Sequence, residues 1–241
     1  MKLFASLTLG VFTLLAASSQ AQVLTTLYTI NSNAFDIVTF NLEVVNPSGI
    51  TITKFDVNAN TLGPNSSVLA GLSNGSPQVL SVYFRNGSYV GMNNVANWTF
   101  SQNVNFTAAD EGTPSSVPLN SGITLLPGNY AIALGMVDQP VSTGAGLSFN
   151  NGTGTSATPG SGNQTFSNAD IILRAGASIG NFSGVPGSGT EIFGNFASTV
   201  NGARIFNGSI YYSTAVPEPS ALAIAGLGLL VLTSFKSARR K

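Results

Sequence analysis

Neither histidine nor cysteine occurs anywhere in the 241 residues. Together the two absences exclude disulfides, haem attachment, zinc sites and Ser-His-Asp or Cys-His catalysis, so no metal centre and no cofactor is expected. Charge is also scarce, at 7% of residues, against about 25% in an ordinary soluble domain. Nine Lys+Arg balance nine Asp+Glu, and a neutral chain has no field with which to collect nucleic acid. Nor does any apolar run reach the roughly 20 residues that a membrane-spanning helix needs. What remains is 43% hydrophobic residues set among Gly, Asn, Ser and Thr.

Two shorter apolar runs lie at the ends. Residues 1-21 open with Lys2, continue apolar from Leu3 to Ala17 and close on Ser19-Gln20-Ala21. A charged start, a short apolar core and small residues at the end predict a secretory signal peptide. Signal peptidase is expected to cut between Ala21 and Gln22. At the far end Val216-Pro217-Glu218-Pro219 precedes an apolar segment from Ala221 to Phe235 and a basic tail, Lys236, Arg239, Arg240 and Lys241. The prolines keep the junction extended, because neither tolerates a helix interior or a central strand. Fifteen helical residues cover about 22 Å, less than a hydrocarbon core about 30 Å thick, so the expected transmembrane helix spans only with help from its flanks or by thinning the bilayer and reads as a temporary anchor. The basic tail places residues 22-215 on the non-cytoplasmic side.

This order of motif, short apolar helix and basic cluster over residues 216-241 resembles the PEP-CTERM sorting domain of Gram-negative bacteria. The resemblance implies recognition of Pro217, Glu218 and Pro219 by exosortase, a membrane-embedded cysteine-protease-like enzyme that cleaves near the motif. It also implies a transient inner-membrane anchor with the ectodomain in the periplasm, followed by release to the cell surface or the medium.

Between the ends, apolar residues recur at every second position in runs bounded by Gly, Pro and Asn, which is the strand signal. Val38, Phe40, Leu42 and Val44 make one such face, Ile50 to Val57 a second, and Leu80, Val82 and Phe84 a third. Asn86-Gly87 then predicts a type I′ hairpin with Tyr89 starting the return strand. Trp98, Phe100, Val104 and Phe106 alternate, with Gln102 interrupting. Tyr130, Ile132, Leu134 and Met136 form the cleanest run, entered through Pro127-Gly128-Asn129; further candidates are Leu147-Phe149, Ile171-Leu173 and Ile205-Tyr212. Residues 142-168, rich in Gly, Ser, Thr and Asn, predict a long loop or loosely held edge. The fold expected is all-β: one two-sheet β-sandwich over 22-215, jelly-roll-like, between the signal peptide and the transmembrane helix. The segments Val82 to Gly91, Trp98-Thr99-Phe100, Leu126 to Tyr130 and Arg204 to Tyr212 also resemble a sandwich module of secreted bacterial proteins with sorting tails, which implies fold and export without supplying a site.

Candidate chemistry in this domain is thin. Discounting both ends leaves four cations, Lys54, Arg85, Arg174 and Arg204, against eight anions. Asp110-Glu111 is the only adjacent acid pair, and its Gly-Pro surroundings predict a solvated turn rather than two carboxylates facing across a cleft. Asn150-Asn151-Gly152 and Asn168-Ala169-Asp170 are the loops in which calcium oxygens could gather. Lys54, on the polar side of its strand, reads as an edge gatekeeper. Trp98, Tyr83, Tyr89, Tyr211 and Tyr212 are the rings on which a sugar could stack. The expectation is a non-enzymatic structural or adhesive protein of the cell envelope or biofilm matrix, exported and sorted. The alternative is a carbohydrate-binding module for exopolysaccharide.

Overall fold

The computed structural model describes residues 21–29, 34–60, 75, 77–91, 94–110, 112–136, 146–152, 164–179, 182–183, 192–193 and 204–214. Among these the elements of regular structure are strands, apart from a 3-10 turn at Val95–Asn97, joined by turns and irregular segments. In chain order the strands are β1 (Ala21–Thr25), β2 (Ala34–Phe35), β3 (Ile37–Val44), β4 (Ile50–Val57), β5 (Ala59–Asn60), β6 (Pro77–Asn86), β7 (Thr99–Thr107), β8 (Ser115–Leu125) and β9 (Gly128–Met136). There follow β10 (Gly146–Asn151), β11 (Thr165–Ser167), β12 (Ile171–Ile179), β13 (Phe182–Ser183), β14 (Ile192–Phe193), β15 (Arg204–Phe206) and β16 (Gly208–Thr214). Residues 1–20 of the expected signal peptide, the expected transmembrane helix, Glu111 and the sorting motif lie outside the described residues. Among the described residues no helix is long and apolar enough to cross a membrane. Residues Gln20–Ala215 form one compact unit.

Two large antiparallel sheets and a two-stranded ribbon, β13-β14, lie in this unit. One has the order β1-β16-β4-β8; the other runs β2-β10-β15-β12-β3-β9-β6-β7, with β11 on β12 and β5 on β10. Period-two alternation explains how they meet. Val38, Phe40, Leu42 and Val44 of β3 and Ile132, Leu134 and Met136 of β9 share one buried cluster with Ile50, Ile52, Phe55 and Val57 of β4 and Ile210 and Tyr212 of β16. That cluster draws on both sheets, so it is the filling of a sandwich. The two-sheet expectation holds, and β3, β4, β6 and β9 stand where the alternation put them.

The structure departs from expectation at three places, each because a long-range contact overrides a local signal. Asn86 and Gly87 do not form a two-residue hairpin: Asn86 is still in β6, opposite Tyr130, and the connection runs on to Thr99. Gly87 takes a positive φ of 83° and donates its N–H to Asn129 O at 2.8 Å. The Asn41 side chain then captures the loop, donating to Ser88 Oγ at 3.0 Å and accepting from Tyr89 N at 3.1 Å. In β7, Val82 faces Gln102 while Tyr83 faces Phe100, so Ser101 is an extra residue. This bulge turns Phe100 to the opposite face from Val104 and Phe106, where its ring meets Tyr83 edge-on at 5.3 Å.

The third departure is in the run from Ile205 to Tyr212, which is two strands in two different sheets. The chain changes sheet at Asn207-Gly208. A Cβ on Gly208 would overlap Asp56 O and the Phe206 ring, so only glycine passes this corner. Buried Asn207 donates to Thr29 O at 3.1 Å, Asn58 Nδ2 donates to the same carbonyl at 3.3 Å, and Asn58 N–H donates to Asn207 O at 3.1 Å. Two asparagines thus satisfy the backbone groups that the crossing frees. Within the segment 142-168, Gly146–Asn151 is a strand, as expected for Leu147-Phe149, with Leu147, Ser148 and Phe149 buried, and Thr165–Ser167 is a short strand where a loop was expected.

Candidate functional site

The sandwich has two regions where side chains gather other than in its core, and each contains residues that the sequence singled out. The first covers the outer face of the larger sheet. On β9 the residues between the core positions are Ala131 and Ala133, and with Ala177 of β12 they leave a shallow floor. Residues 87–91 and 94–98 of the connection to β7 lie against that floor, with Tyr83, Tyr89 and Trp98 buried and Val90, Val95 and Phe100 packed beside them. Trp98 is 8% exposed and the two tyrosine rings less. These three expected sugar platforms are therefore brought together as the filling of a third layer, and none presents a flat face to solvent. Burial also pushes the Tyr89 hydroxyl well above the ordinary tyrosine range.

The second region is the outer face of the smaller sheet. A bulge at Thr53 sets Lys54 opposite Tyr211, and Asp56 pairs with Ser209. Lys54 Nζ sits 3.6 Å from the Tyr211 ring centroid and 3.0 Å from Asp56 Oδ1. Tyr211 Oη donates to Asp56 Oδ2 at 2.7 Å. Cation, ring and carboxylate close a triangle in which every group is engaged by the other two. Lys54 is not an edge residue: β4 lies between β16 and β8, and the lysine covers one face of the ring. Tyr211 is the only one of the five candidate aromatics that is not buried. Its hydroxyl is held above the ordinary range first by the hydrogen bond to Asp56, then by burial, so the phenol stays protonated and cannot act as a base near neutral pH.

Tyr212 points the other way, into the core. Its hydroxyl donates to Asp170 Oδ2 at 3.1 Å and accepts from Asn168 Nδ2 at 2.8 Å. Asn168 Oδ1 also accepts from the N–H groups of Asp170 and Ile171, and Asn46 Nδ2 donates to Asp170 Oδ1 at 2.7 Å. The oxygens proposed for calcium in this loop are spent on the loop itself. The same holds at the other candidate, where Asn150 Oδ1 accepts from Thr29 Oγ1 at 2.6 Å and Asn151 Oδ1 from Arg204 Nη1. Among the described residues no group of three or more acids could hold a metal ion. Asp110 lies in a turn closed by Thr113 N–H to Asp110 O at 2.9 Å. Glu43 and Arg174 pair at 2.7 Å across β3 and β12.

Raised tyrosines have a consequence for stability. Burial first lifts Tyr212 to about 12 from 10.0, and Tyr28, Tyr89 and Tyr211 shift the same way. A folded state that holds its protons longer than the unfolded chain loses stability as pH rises past the unfolded value. The expected result is a stability plateau through neutral pH that begins to fall near pH 10 and keeps falling to about pH 12. Thermal melts across pH 7 to 12 check it, and a melting temperature unchanged from pH 9.5 to 12 contradicts it.

Sequence reasoning missed the Asn41 clamp and the Asn58–Asn207 corner. It also missed Gln102, whose side chain donates to Ser121 O at 2.7 Å and accepts from Asn120 N–H at 2.9 Å. That amide ties β7, the last strand of the larger sheet, to β8 of the smaller one, so it joins two edges rather than interrupting a face.

The architecture defines the class, an antiparallel β-sandwich whose polar side chains are spent on holding strands and turns. A particular assignment comes from the chain beyond it. Residues 215–241 match the PEP-CTERM protein-sorting motif. The match takes in the expected sorting residues Val216, Pro217, Glu218 and Pro219 and the basic flank Lys236, Arg239, Arg240 and Lys241, and it does not extend into the sandwich. No curated protein and no solved structure matches the chain. Of the expected signal-cleavage pair, Ala21 and Gln22 are the first residues of β1, opposite Ser213 and Tyr212.

Proposed function

We propose that the protein is a structural or adhesive component of the bacterial envelope or biofilm matrix, exported behind a signal peptide and processed by exosortase at its C-terminus. The observation that carries the reading is the sorting motif over residues 215–241, immediately after the last strand of the sandwich. The engaged state of the polar groups supports a non-catalytic role. The Lys54-Asp56-Tyr211 triangle is closed, and the buried rings fill a layer instead of lining a groove. The exopolysaccharide-binding alternative rests on Tyr211 alone, and it requires that Tyr211→Ala lower retention on the host's own polysaccharide.

Peptide mass spectrometry on membrane and medium fractions of the native host tests the reading. The expected result is a mature C-terminus between Val216 and Pro219 in the medium or surface fraction, with no peptide from residues 221 to 241. Tail peptides ending at Lys241 and confined to the membrane fraction would remove exosortase processing and leave an ordinary anchored protein.

A further inference from the structure

Only three large hydrophobic residues are exposed among the described residues: Leu126 at 66%, Val23 at 46% and Val45 at 39%. Surface apolar residues scattered singly need no explanation, but Leu126 and Val45 lie in adjoining turns. Thr214, the end of β16, faces Ile50, which in turn faces Leu125, so the Leu126-Pro127 turn lies at the end of the sandwich from which the chain leaves. The turn carrying Val45 touches it: a Cβ on Gly49 would come within 2.6 Å of Leu125 O and 3.2 Å of Leu126 Cα. Val45 N–H donates to Asp170 O at 2.8 Å. Val23 stands opposite Tyr211 on β1, with its carbonyl 3.5 Å from Asn168 Nδ2 in the same loop as Asp170. Tyr130 Oη donates to Leu126 O at 3.0 Å and braces the tip. Thus the exit end is a set of mutually fixed turns that carries Leu126 and Val45, while Val23 lies a few residues further in, on the outer face of β1.

Six residues, 215–220, separate Thr214 from the apolar segment that starts at Ala221. Fully extended, they reach about 20 Å. An apolar segment held in a bilayer therefore keeps the exit end near the lipid surface. We propose that this end docks on the bilayer, with Leu126 inserted at the headgroup level, for as long as residues 221–235 stay membrane-held; the proposal rests on the sorting reading above. A leucine and a valine bind lipid weakly by themselves. A short tether makes the contact intramolecular, so that weak affinity suffices while the tail is attached. Cleavage near Pro217-Glu218-Pro219 removes the tether, and the contact is then too weak to hold the product. Docking thereby presents the motif close to the membrane without hindering release.

The absence of cysteine makes the test direct, since each introduced thiol takes a single label. Full-length Leu126→Cys, Thr113→Cys and Ser234→Cys carry an environment-sensitive fluorophore in phosphatidylcholine/phosphatidylglycerol vesicles, with brominated lipid as quencher. Thr113 is exposed and lies just before Ser115, which begins β8 at the opposite end, facing Val57. The expected result is a blue shift and loss of emission at Leu126 and Ser234, with a solvent-like, unquenched signal at Thr113. Quenching at Ser234 but not at Leu126 overturns docking and leaves the anchored tail intact. Quenching equally at Leu126 and Thr113 overturns a defined docking end, and no quenching at Ser234 overturns the membrane-held tail and docking with it.

Discussion

Gly176→Ala is expected to destabilise the sandwich by about 3 kcal/mol or more, in the upper range for overpacking a core. The reason lies in the bulge that β12 carries against β3. Arg174 faces Asn41 and Ala177 faces Thr39, so two residues of β12 oppose one of β3, and Gly176 pairs across its other side with Arg204 of β15. A Cβ at Gly176 would overlap the Thr39 carbonyl and lie 2.7 Å from Phe40 Cα. These obstacles are backbone atoms of a strand paired on both sides, and the Thr39 hydroxyl donates to Ala177 O at 3.0 Å. No side chain can swing aside; the ladder itself has to shift. At roughly 2–4 °C per kcal/mol for a domain of this size, the melting temperature should fall by about 6–12 °C. Gly91→Ala is the control. Its φ is 74° and nothing lies within 4 Å of the added methyl, so it should cost only the left-handed penalty of about 1–2 kcal/mol. Equal urea midpoints for the two variants would mean that β12 does not pass β3 in this register.

The contrast between those two glycines is also what separates the legible from the illegible in this sequence. Strands with one face in the core announced themselves. Val38 to Val44 and Tyr130 to Met136 alternate because their even positions meet the other sheet, and a slip of one residue would expose every one of them. Turns and corners that depend on distant partners did not. Tyr89 follows an Asn-Gly pair as a return strand would, yet it is held by Asn41, some 48 positions earlier. Nothing near Asn207-Gly208 marks a change of sheet, because the crowding that demands glycine comes from Asp56 and the Phe206 ring.

Of the candidate site, the residue types were legible and their placement was not. Four of the five aromatic candidates proved to be packing residues, and a signal for three of them was present. Between its core positions β9 reads Ala131, Ala133 and Gly135, small residues on a strand whose outer face would otherwise meet water. A floor of small side chains invites large ones from elsewhere, and Tyr83, Tyr89 and Trp98 are the large ones available. The sorting tail needed no such inference, because a short sorting motif is a property of local sequence.

A protein without disulfides has to carry its stability in its core wherever it ends up, so the largest loss among ordinary truncations is expected in the layer between the sheets. Phe40 is the position to test. It sits in β3, flanked by β9 and β12, fully buried, with its ring stacked on Phe206 at a centroid distance of 4.9 Å and an interplanar angle of 26°. Phe206 is the last residue before the corner at Asn207-Gly208, so the pair joins the middle of the larger sheet to the place where the chain crosses to the smaller one. Phe40→Ala should cost about 4 kcal/mol, combining lost transfer energy with a cavity that fixed strands on either side cannot close. Urea denaturation of both single truncations and the double truncation, Phe40→Ala and Phe206→Ala, isolates the contact itself. Its coupling energy should be about 0.5–1.5 kcal/mol, the range for stacked rings beyond their burial. A cost below about 1.5 kcal/mol for Phe40→Ala, within the range of a volume-conserving swap, would show that the two sheets do not share the core on which the sandwich assignment depends.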